Sequence, residues 1–245
     1  MKRAALLLLA LLAGCGGETE RSGVLGVTAT ACRDGEYRSV GSERRAWAAV
    51  VRASARAYSQ PGSGELARFG RRNVNGVPTV LGVVGAVVDS RCEARWYRVR
   101  LPLKPNGSMG WVRTRDVDIE SVRTRILVDL SERRVTLFRD GKLLLRATAA
   151  IGSGATPTPT GAYYVNQRLI PADTSGPFGP GAIGISAFSE VLTGWAQGGP
   201  VAIHGTNRPE LIGRAVSNGC IRVRNDVLRR MWRVTLAGTP VIIRA

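Results

Sequence analysis

Residues 204–222 read HGTNRPELIGRAVSNGCIR, and this stretch decides how the second half of the chain is interpreted. It contains His204, the only histidine among the 245 residues, and Cys220, which follows a glycine. Cysteine attacks as its thiolate, and a neighbouring imidazole is the usual base or counter-ion that produces one. The stretch therefore predicts a reactive thiol paired with the histidine. Taken singly, a buried inert thiol and a core histidine are the alternatives.

Residues 122–245, which surround this stretch, predict a mainly β domain. Strand-like residues flank a turn at 131–133, and Asp140-Gly141 is a strong hairpin signal. A short apolar strand at 201–203 would deliver the histidine. The segment 171–200 is rich in glycine and proline, so it is predicted to be mostly loop.

One helix is predicted after the cysteine. Asn225 or Asp226 can cap its amino terminus, and the helix would run to about Val234. A last strand at 241–244 would follow the helix. The domain is therefore expected to contain many strands and a single helix.

Residues 46–118 form another block of short predicted strands with turn signals between them. An apolar run covers 80–88, an alternating strand follows Trp96, and a loop leads to Gly110-Trp111-Val112. This pattern resembles a bacterial SH3-like domain, which is a small β-barrel. The alternatives are an unrelated small β domain or the first part of one continuous fold. The two indoles are either core residues or a platform for a wall fragment.

The first fourteen residues, 1–14, are a candidate targeting segment. Two basic residues precede a short apolar stretch, and the small residues before Cys15 resemble a bacterial lipobox. The resemblance implies a lipoprotein signal peptide, lipid on the Cys15 thiol, and a location at the membrane surface facing the cell wall or periplasm. An ordinary secretory signal is the alternative. Residues 15–45 are rich in small polar residues and are predicted to be a flexible tether.

Cys32 and Cys92 are the two cysteines left when Cys15 is assigned to lipid and Cys220 to catalysis. In an exported protein they are candidates for a disulfide, because the compartment is oxidising. The sequence gives no distance between them, so two free thiols are the alternative.

The formal net charge is +17, from 35 basic and 18 acidic residues. Outside the cell such a charge favours attraction to anionic wall polymers and lipid headgroups. Nucleic acid is the other usual partner of a basic protein, but export argues against it. The arginines are spread along the chain, so the charge says little about a particular partner.

The motif from His204 to Asp226 resembles the signature of the L,D-transpeptidase catalytic domain, also called the YkuD family. The TPTPTG loop at 156–161 and the GTPVII strand at 238–243 also match that family's pattern. The resemblance implies a β-sandwich or barrel with one helix after the nucleophile. It also implies an exported enzyme that joins peptidoglycan stem peptides by 3→3 cross-links through an acyl-enzyme on cysteine.

The residues of the motif fit these roles on chemical grounds. Cys220 would attack an amide carbonyl carbon, and His204 would accept the thiol proton and then protonate the leaving amine. The backbone N–H groups of Gly219 and Cys220 are candidates for an oxyanion hole. The resemblance implies that the carbonyl of Gly205 orients the imidazole.

Arg222, Asn207 and Ser217 are the candidate substrate-binding residues. Arg222 would favour the thiolate or bind a substrate carboxylate, and an ion pair with Asp226 is the alternative. Asn207 and Ser217 are also candidates for holding the loop together. Asn218 stands where some family members have a second histidine, which bears on local tuning of the site.

Other functions stay open at this point. Water or a protein lysine could replace the acceptor amine, which would give an L,D-carboxypeptidase or a protein-to-peptidoglycan ligase. A non-catalytic wall-binding lipoprotein would instead rely on the SH3-like block and the charge. One histidine with one nearby cysteine falls short of a structural zinc site, so no metal or cofactor is predicted. A monomer is expected.

Overall fold

The computed structural model describes residues 31–192 and 194–245. Eight strands form the first sheet, and we call residues 31–122 the first unit. These strands are β1 Glu36–Ser39, β2 Ala46–Val51, β3 Ser54–Gln60, β4 Ser63–Gly70, β5 Val80–Val88, β6 Ala94–Arg100, β7 Met109–Arg113 and β8 Val117–Val122. Their order in the sheet is β4-β3-β7-β6-β5-β2-β8, and β1 pairs with β5.

The predicted strands of this block are present, including the apolar run at 80–88, which is β5. Tyr97 and Val112 point into the core of the unit, because alternate residues of β6 and β7 face opposite sides of the sheet. Trp96 and Trp111 are half-buried on the other face. They therefore lie outside the core proper, and the SH3-like assignment stays a prediction.

The flexible tether predicted over residues 15–45 is wrong for its described part. Strand β1 pairs in antiparallel fashion with β5, and Cys32 forms a disulfide with Cys92. Gly85 gives β1 its space, since a Cβ there would lie 2.3 Å from the Tyr37 hydroxyl oxygen. The disulfide is one of the two arrangements that the sequence left open. The targeting segment and Cys15 lie outside the described residues.

Residues 123–245 form the second unit. Its main sheet has the strands β9 Thr124–Asp129, β10 Arg134–Arg139, β11 Lys142–Thr148, β13 Gly161–Leu169, β14 Ala182–Phe188, β15 Pro200–His204, β17 Ile221–Arg222 and β18 Pro240–Arg244. Two further strands, β12 Ile151–Gly152 and β16 Ala215–Ser217, pair with each other in parallel. The order in the main sheet is β11-β10-β9-β18-β13-β14-β15-β17. Helix α1 covers Asn225–Val234.

The prediction of a mainly β fold with one helix after the cysteine is confirmed for the described residues. The hairpin at Asp140-Gly141 is present, with φ of 55° and 76° at the two residues, as a primed two-residue turn requires. Helix α1 buries Val227, Leu228 and Met231 against the sheet. No helix in the described part of the chain is both long and apolar enough to span a bilayer.

The loop predicted over residues 171–200 is wrong in its middle, where β14 is a central strand of the sheet. The glycines that suggested a loop instead allow close packing. A Cβ on Gly181 would lie 3.0 Å from the Trp232 ring, and one on Gly184 would lie 2.6 Å from the Gln167 side chain. Glycine in a strand interior is a sign of such close approach.

Candidate active site

The two chain segments that carry the predicted pair lie side by side at the edge of the second sheet. Strands β15 and β17 pair in parallel, with Ile203 opposite Ile221 and His204 opposite Arg222. Both isoleucines are fully buried in the core, so the alternate residues His204 and Arg222 share the other face. Cys220 stands two residues before Arg222, just outside β17. The Cys220 thiol has a backbone hydrogen bond with Ala202, which lies two positions before His204 on β15. The two predicted residues therefore lie on neighbouring segments.

His204 is held in one orientation by its neighbour in the chain. Its Nδ1 lies 2.6 Å from the carbonyl oxygen of Gly205, and the ring is buried. A carbonyl can only accept, so Nδ1 carries the hydrogen and Nε2 is left as the basic nitrogen. Gly205 therefore occupies the orienting position that the family resemblance implied.

The loop after His204 is clamped by the first residue of helix α1. The Asn225 Oδ1 accepts a hydrogen bond from the Thr206 N–H at 2.8 Å. The same oxygen fills the space in which a Cβ on Gly205 or Gly179 would lie, at 2.3 and 2.4 Å. Asn225 therefore does not cap the helix, whose amino terminus has no side-chain cap. The preference of asparagine for helix caps explains its presence at this position equally well. The sequence alone therefore could not predict the contact of Asn225 with the Thr206 N–H.

Residues 217–220 form a tight turn that positions the cysteine, and we call it the SNGC turn. The buried Ser217 hydroxyl donates to the Cys220 carbonyl at 2.5 Å and accepts from the Gly219 N–H at 3.1 Å. The turn needs glycine at position 219, where φ is +105°. Ser217 thus holds the turn together, which is one of the two roles that the sequence left open, and its contact with substrate stays a prediction.

The Gly219 N–H was predicted to serve the oxyanion hole, and the structure corrects this prediction. This N–H already donates to Ser217, so it is not free to bind a developing oxyanion. The Cys220 N–H has no such partner among the described residues, and it is the candidate donor that remains. Gly219 serves the site through its backbone conformation.

The TPTPTG loop supports the SNGC turn from behind. The Thr156 hydroxyl donates to the Ser217 carbonyl at 2.9 Å, and the Ser153 N–H donates to the same oxygen at 2.9 Å. The Thr158 hydroxyl accepts from the Gly152 N–H at 2.8 Å. The TPTPTG loop therefore stabilises the SNGC turn.

Arg222 is the charged group that acts on the pKa of both His204 and Cys220. The alternative ion pair with Asp226 is absent, because Asp226 pairs with Arg224 at 3.4 Å. The Nε of Arg222 is buried without a hydrogen-bond partner among the described residues. Asn207, also predicted to bind substrate, is exposed, and its side chain has no hydrogen bond within residues 31–192 and 194–245. Both side chains are thus free to contact a ligand.

Phe178 is a site residue that the sequence interpretation missed. Its ring centroid lies 4.8 Å from that of His204, with the planes tilted by 54°, and 45% of its surface is exposed. It belongs to the loop between β13 and β14. A single aromatic residue in a glycine- and proline-rich loop gave no signal of this contact.

Burial sets the protonation states of the pair. Burial lowers the pKa of His204 to about 4, the Gly205 hydrogen bond acts against this shift, and the Arg222 charge adds to it. Burial raises the pKa of the Cys220 thiol, while a backbone hydrogen bond with Ala202 and the Arg222 charge oppose that rise. At neutral pH the resting site therefore holds a neutral imidazole beside a protonated thiol. The described residues contain no cluster of three or more metal-ligating side chains.

A family model described as the L,D-transpeptidase catalytic domain YkuD matches residues 123–243. YkuD of Bacillus subtilis is 31% identical over 126 residues, which cover 51% of this chain and 69% of that protein. This chain belongs to the L,D-transpeptidase family. YkuD of Bacillus licheniformis is 32% identical over 124 residues, covering 51% of this chain and 67% of the relative.

Among solved structures, an L,D-transpeptidase from Enterococcus faecium is 27% identical and matches with a TM-score of 0.38. The match covers 49% of this chain and only 49% of that enzyme. L,D-transpeptidases are cysteine-dependent acyltransferases that act on peptidoglycan stem peptides. The family model covers residues 123–243, so the second unit carries the L,D-transpeptidase catalytic domain.

Proposed function

We propose that this chain is a peptidoglycan L,D-transpeptidase in which Cys220 is the nucleophile and His204 carries the proton. The observation that carries the proposal is the hydrogen bond between His204 Nδ1 and the Gly205 carbonyl. It fixes the tautomer and leaves Nε2 as the base, and Cys220 directly precedes β17, the strand that pairs with the one carrying His204. A nucleophile, its base and a group that orients the base are the parts that covalent acyl transfer requires.

In the first half-reaction the donor is a tetrapeptide stem. The Cys220 sulfur attacks the carbonyl carbon between the third residue and the terminal D-alanine, while His204 Nε2 takes the thiol proton. The negative charge that develops on the carbonyl oxygen is stabilised by the Cys220 N–H, and one such donor lowers a barrier by about 3 kcal/mol. When the C–N bond breaks, the imidazolium gives its proton to the leaving amine, and a thioester remains.

In the second half-reaction the acceptor is the side-chain amine of the third residue in a neighbouring stem. His204 Nε2 removes a proton from the amine as its nitrogen attacks the thioester carbon. The C–S bond then breaks, the sulfur regains the proton from His204, and a 3→3 peptide cross-link is released. The neutral resting pair suits this cycle, because the imidazole is free to act first as a base.

Product analysis with a disaccharide-tetrapeptide substrate tests the proposal. The wild-type protein should form cross-linked dimers, the Cys220→Ala variant none, and the His204→Ala variant about 10²- to 10⁴-fold less. Free trimmed stems without dimers would show an L,D-carboxypeptidase, and a protein-bound muropeptide would show a ligase. Unaltered dimer formation by Cys220→Ala would overturn the assignment of the nucleophile, and sacculus binding without any turnover would show a wall-binding module.

We further propose that the protein works outside the cytoplasm, anchored by lipid on Cys15. The disulfide between Cys32 and Cys92 supports export, because such bonds form and persist in oxidising compartments. Radiolabelled palmitate should enter the wild-type protein and not the Cys15→Ser variant, which should move from the membrane fraction to the soluble fraction. Equal labelling of the two proteins would contradict the anchor.

A further inference from the structure

A cavity of about 380 Å³ lies between the two units, and we call it the interdomain cavity. The first unit contributes the β4–β5 region with Arg68 and Arg72, and the second unit contributes Gln167, Phe188 and Pro200. Its volume is in the range of sites that hold peptide- or drug-sized ligands. Nothing in the proposed chemistry at Cys220 uses it directly.

Pro200, which lines the interdomain cavity, lies on the same face of the sheet as His204. Pro200, Ala202 and His204 alternate along β15 and so share one face. Ala202 is paired with Gly184, and Gly184 with Gln167, which lines the cavity. Ala202 and Gly184 lie between the cavity and His204 and have little or no side chain. They form a shallow strip of sheet surface, which we call the floor.

The distance along this floor matches the length of a stem peptide. Pro200 and His204 are four positions apart on β15, which is about 13 Å at the rise of a strand. An extended peptide covers about 3.5 Å per residue, so four residues span the same length. A donor stem bound along the floor would therefore reach from His204 into the cavity.

Most polar groups in the cavity already have partners. The Asn73 and Asn75 amides donate to Gln167 Oε1 at 2.8 and 2.9 Å, which ties the two units together. Asn75 and Gln197 also exchange hydrogen bonds across the boundary. These amides form the walls and have little capacity left for a ligand.

Three groups in the cavity are left for a ligand. Arg68 and Arg72 line it with no carboxylate among the lining residues. Arg68 has one long contact to Glu65 at 3.4 Å, and one nitrogen of Arg72 donates to the Gly76 carbonyl. The buried Asn166 Oδ1 has no hydrogen-bond partner among the described residues. The cavity thus offers positive charge and one unfilled acceptor, and a buried acceptor without a partner is costly.

Resting on the function proposed above, we infer that the interdomain cavity is a subsite for an anionic segment of the peptidoglycan substrate. Carboxylates of the substrate pair with Arg68 and Arg72, and one of its N–H groups donates to Asn166 Oδ1. The ring of Phe188 forms an apolar wall for the same segment. The first unit then contributes to substrate selection through Arg68 and Arg72.

The test compares a disaccharide-tetrapeptide that has free carboxylates with the same compound amidated at every carboxylate except the terminal one. In the wild type, KM should be lower for the free form. In an Arg68→Gln/Arg72→Gln double variant, KM for the free form should rise about tenfold with kcat nearly unchanged. The preference between the two forms should disappear. Arg71→Gln is the matched control, because Arg71 is an exposed arginine of the same segment that does not line the cavity.

Acylation of Cys220 by a small β-lactam separates this inference from the proposed function. The ligand is too short to reach the cavity, so its acylation rate should be equal in wild type and double variant. If neither the wild type nor the double variant is acylated, the assignment of Cys220 as the nucleophile is contradicted. If the double variant still prefers the substrate with free carboxylates, only the proposed subsite is contradicted. The Asn166→Leu variant gives a second measure. The free energy of unfolding of this variant should not fall, because the replaced oxygen has no hydrogen-bond partner among the described residues, yet its KM for the disaccharide-tetrapeptide should rise. An unchanged KM in that variant would contradict the role of the unfilled acceptor.

Discussion

At the scale of single residues, the site holds two neutral groups, a buried imidazole and a half-buried thiol. Burial works against charge on both partners, lowering the pKa of His204 and raising that of Cys220. The Arg222 charge favours the thiolate and disfavours the imidazolium. The thiol is therefore activated when a substrate arrives and His204 accepts its proton, since no ion pair exists beforehand.

The pH dependence of thiol alkylation tests this resting state. The rate of Cys220 alkylation by iodoacetamide should be low at neutral pH and still be rising above pH 9, because burial raises the thiol pKa. Arg222→Gln should move the rise to higher pH, since it removes a charge that lowers the thiol pKa. A flat, fast rate between pH 5 and 8 would show a thiolate–imidazolium pair and contradict the neutral one.

His204 should also make the fold sensitive to acid. Its pKa is about 4 in the folded protein against 6.5 ordinarily, so between these values the unfolded chain binds a proton that the folded chain does not. Stability is then complete above about pH 6.5 and falls as the pH falls toward 4, by about 3 kcal/mol in total. Urea unfolding at pH 7 and pH 4 should show a larger loss for wild type than for His204→Gln. Equal losses would contradict the shift.

At the scale of elements, the site is assembled where strands end and loops begin. Strand β15 ends at His204, β17 begins just after Cys220, and α1 begins at Asn225. The SNGC turn and the TPTPTG loop are joined through Ser217. Rigid strands set the spacing of the pair, and side-chain hydrogen bonds fix the loops that orient it.

Asn225 offers a test of this arrangement. Asn225→Ala removes the acceptor of the Thr206 N–H and opens space behind Gly205, so the carbonyl that orients His204 should shift. Acylation by a tetrapeptide donor should slow by about ten- to a hundredfold, since small misplacements of catalytic groups cost that much. Asn225→Asp keeps an acceptor oxygen and should retain most of the rate. Equal rates for Asn225→Ala and wild type would show that the clamp is dispensable.

The sequence predicted the strands that have clear alternation or hairpin signals, and its motif predicted that strand β15 and the segment around Cys220 are neighbours, as the β15–β17 pairing shows. It did not predict β14, because glycines needed for close packing look the same as glycines in a loop. The sequence interpretation assigned the Gly219 N–H to the oxyanion hole, because the sequence does not show that this N–H donates to the Ser217 hydroxyl. Contacts made by side chains across distant segments, such as Phe178 on His204, depend on the fold itself.

At the scale of the whole molecule, the two units share one boundary. Gly82 of β5 packs against the Tyr164 ring, and Asn106 exchanges hydrogen bonds with the backbone of Phe188 at 2.8 and 2.9 Å. The disulfide between Cys32 and Cys92 instead lies within the first unit and fastens its first strand. The first unit can therefore lose stability without direct damage to the catalytic face.

Removal of the disulfide tests that separation. The two cysteines are 60 residues apart, and closing a loop of that length restricts the unfolded chain by up to about 4 kcal/mol. The Cys32→Ser/Cys92→Ser variant should lose about 2–4 kcal/mol in the free energy of unfolding. Its β-lactam acylation rate, measured at a temperature where it stays folded, should match wild type. A parallel loss of acylation would show that the units are coupled through this bond.

The intact mass of the purified protein after incubation with a tetrapeptide donor or a β-lactam tests the role of Cys220 most directly. We predict that the wild type gains the mass of one acyl group, that peptide mapping places the group on Cys220, and that the Cys220→Ala variant gains none. A wild-type mass that neither ligand changes, or an adduct that persists in Cys220→Ala, would contradict the assignment.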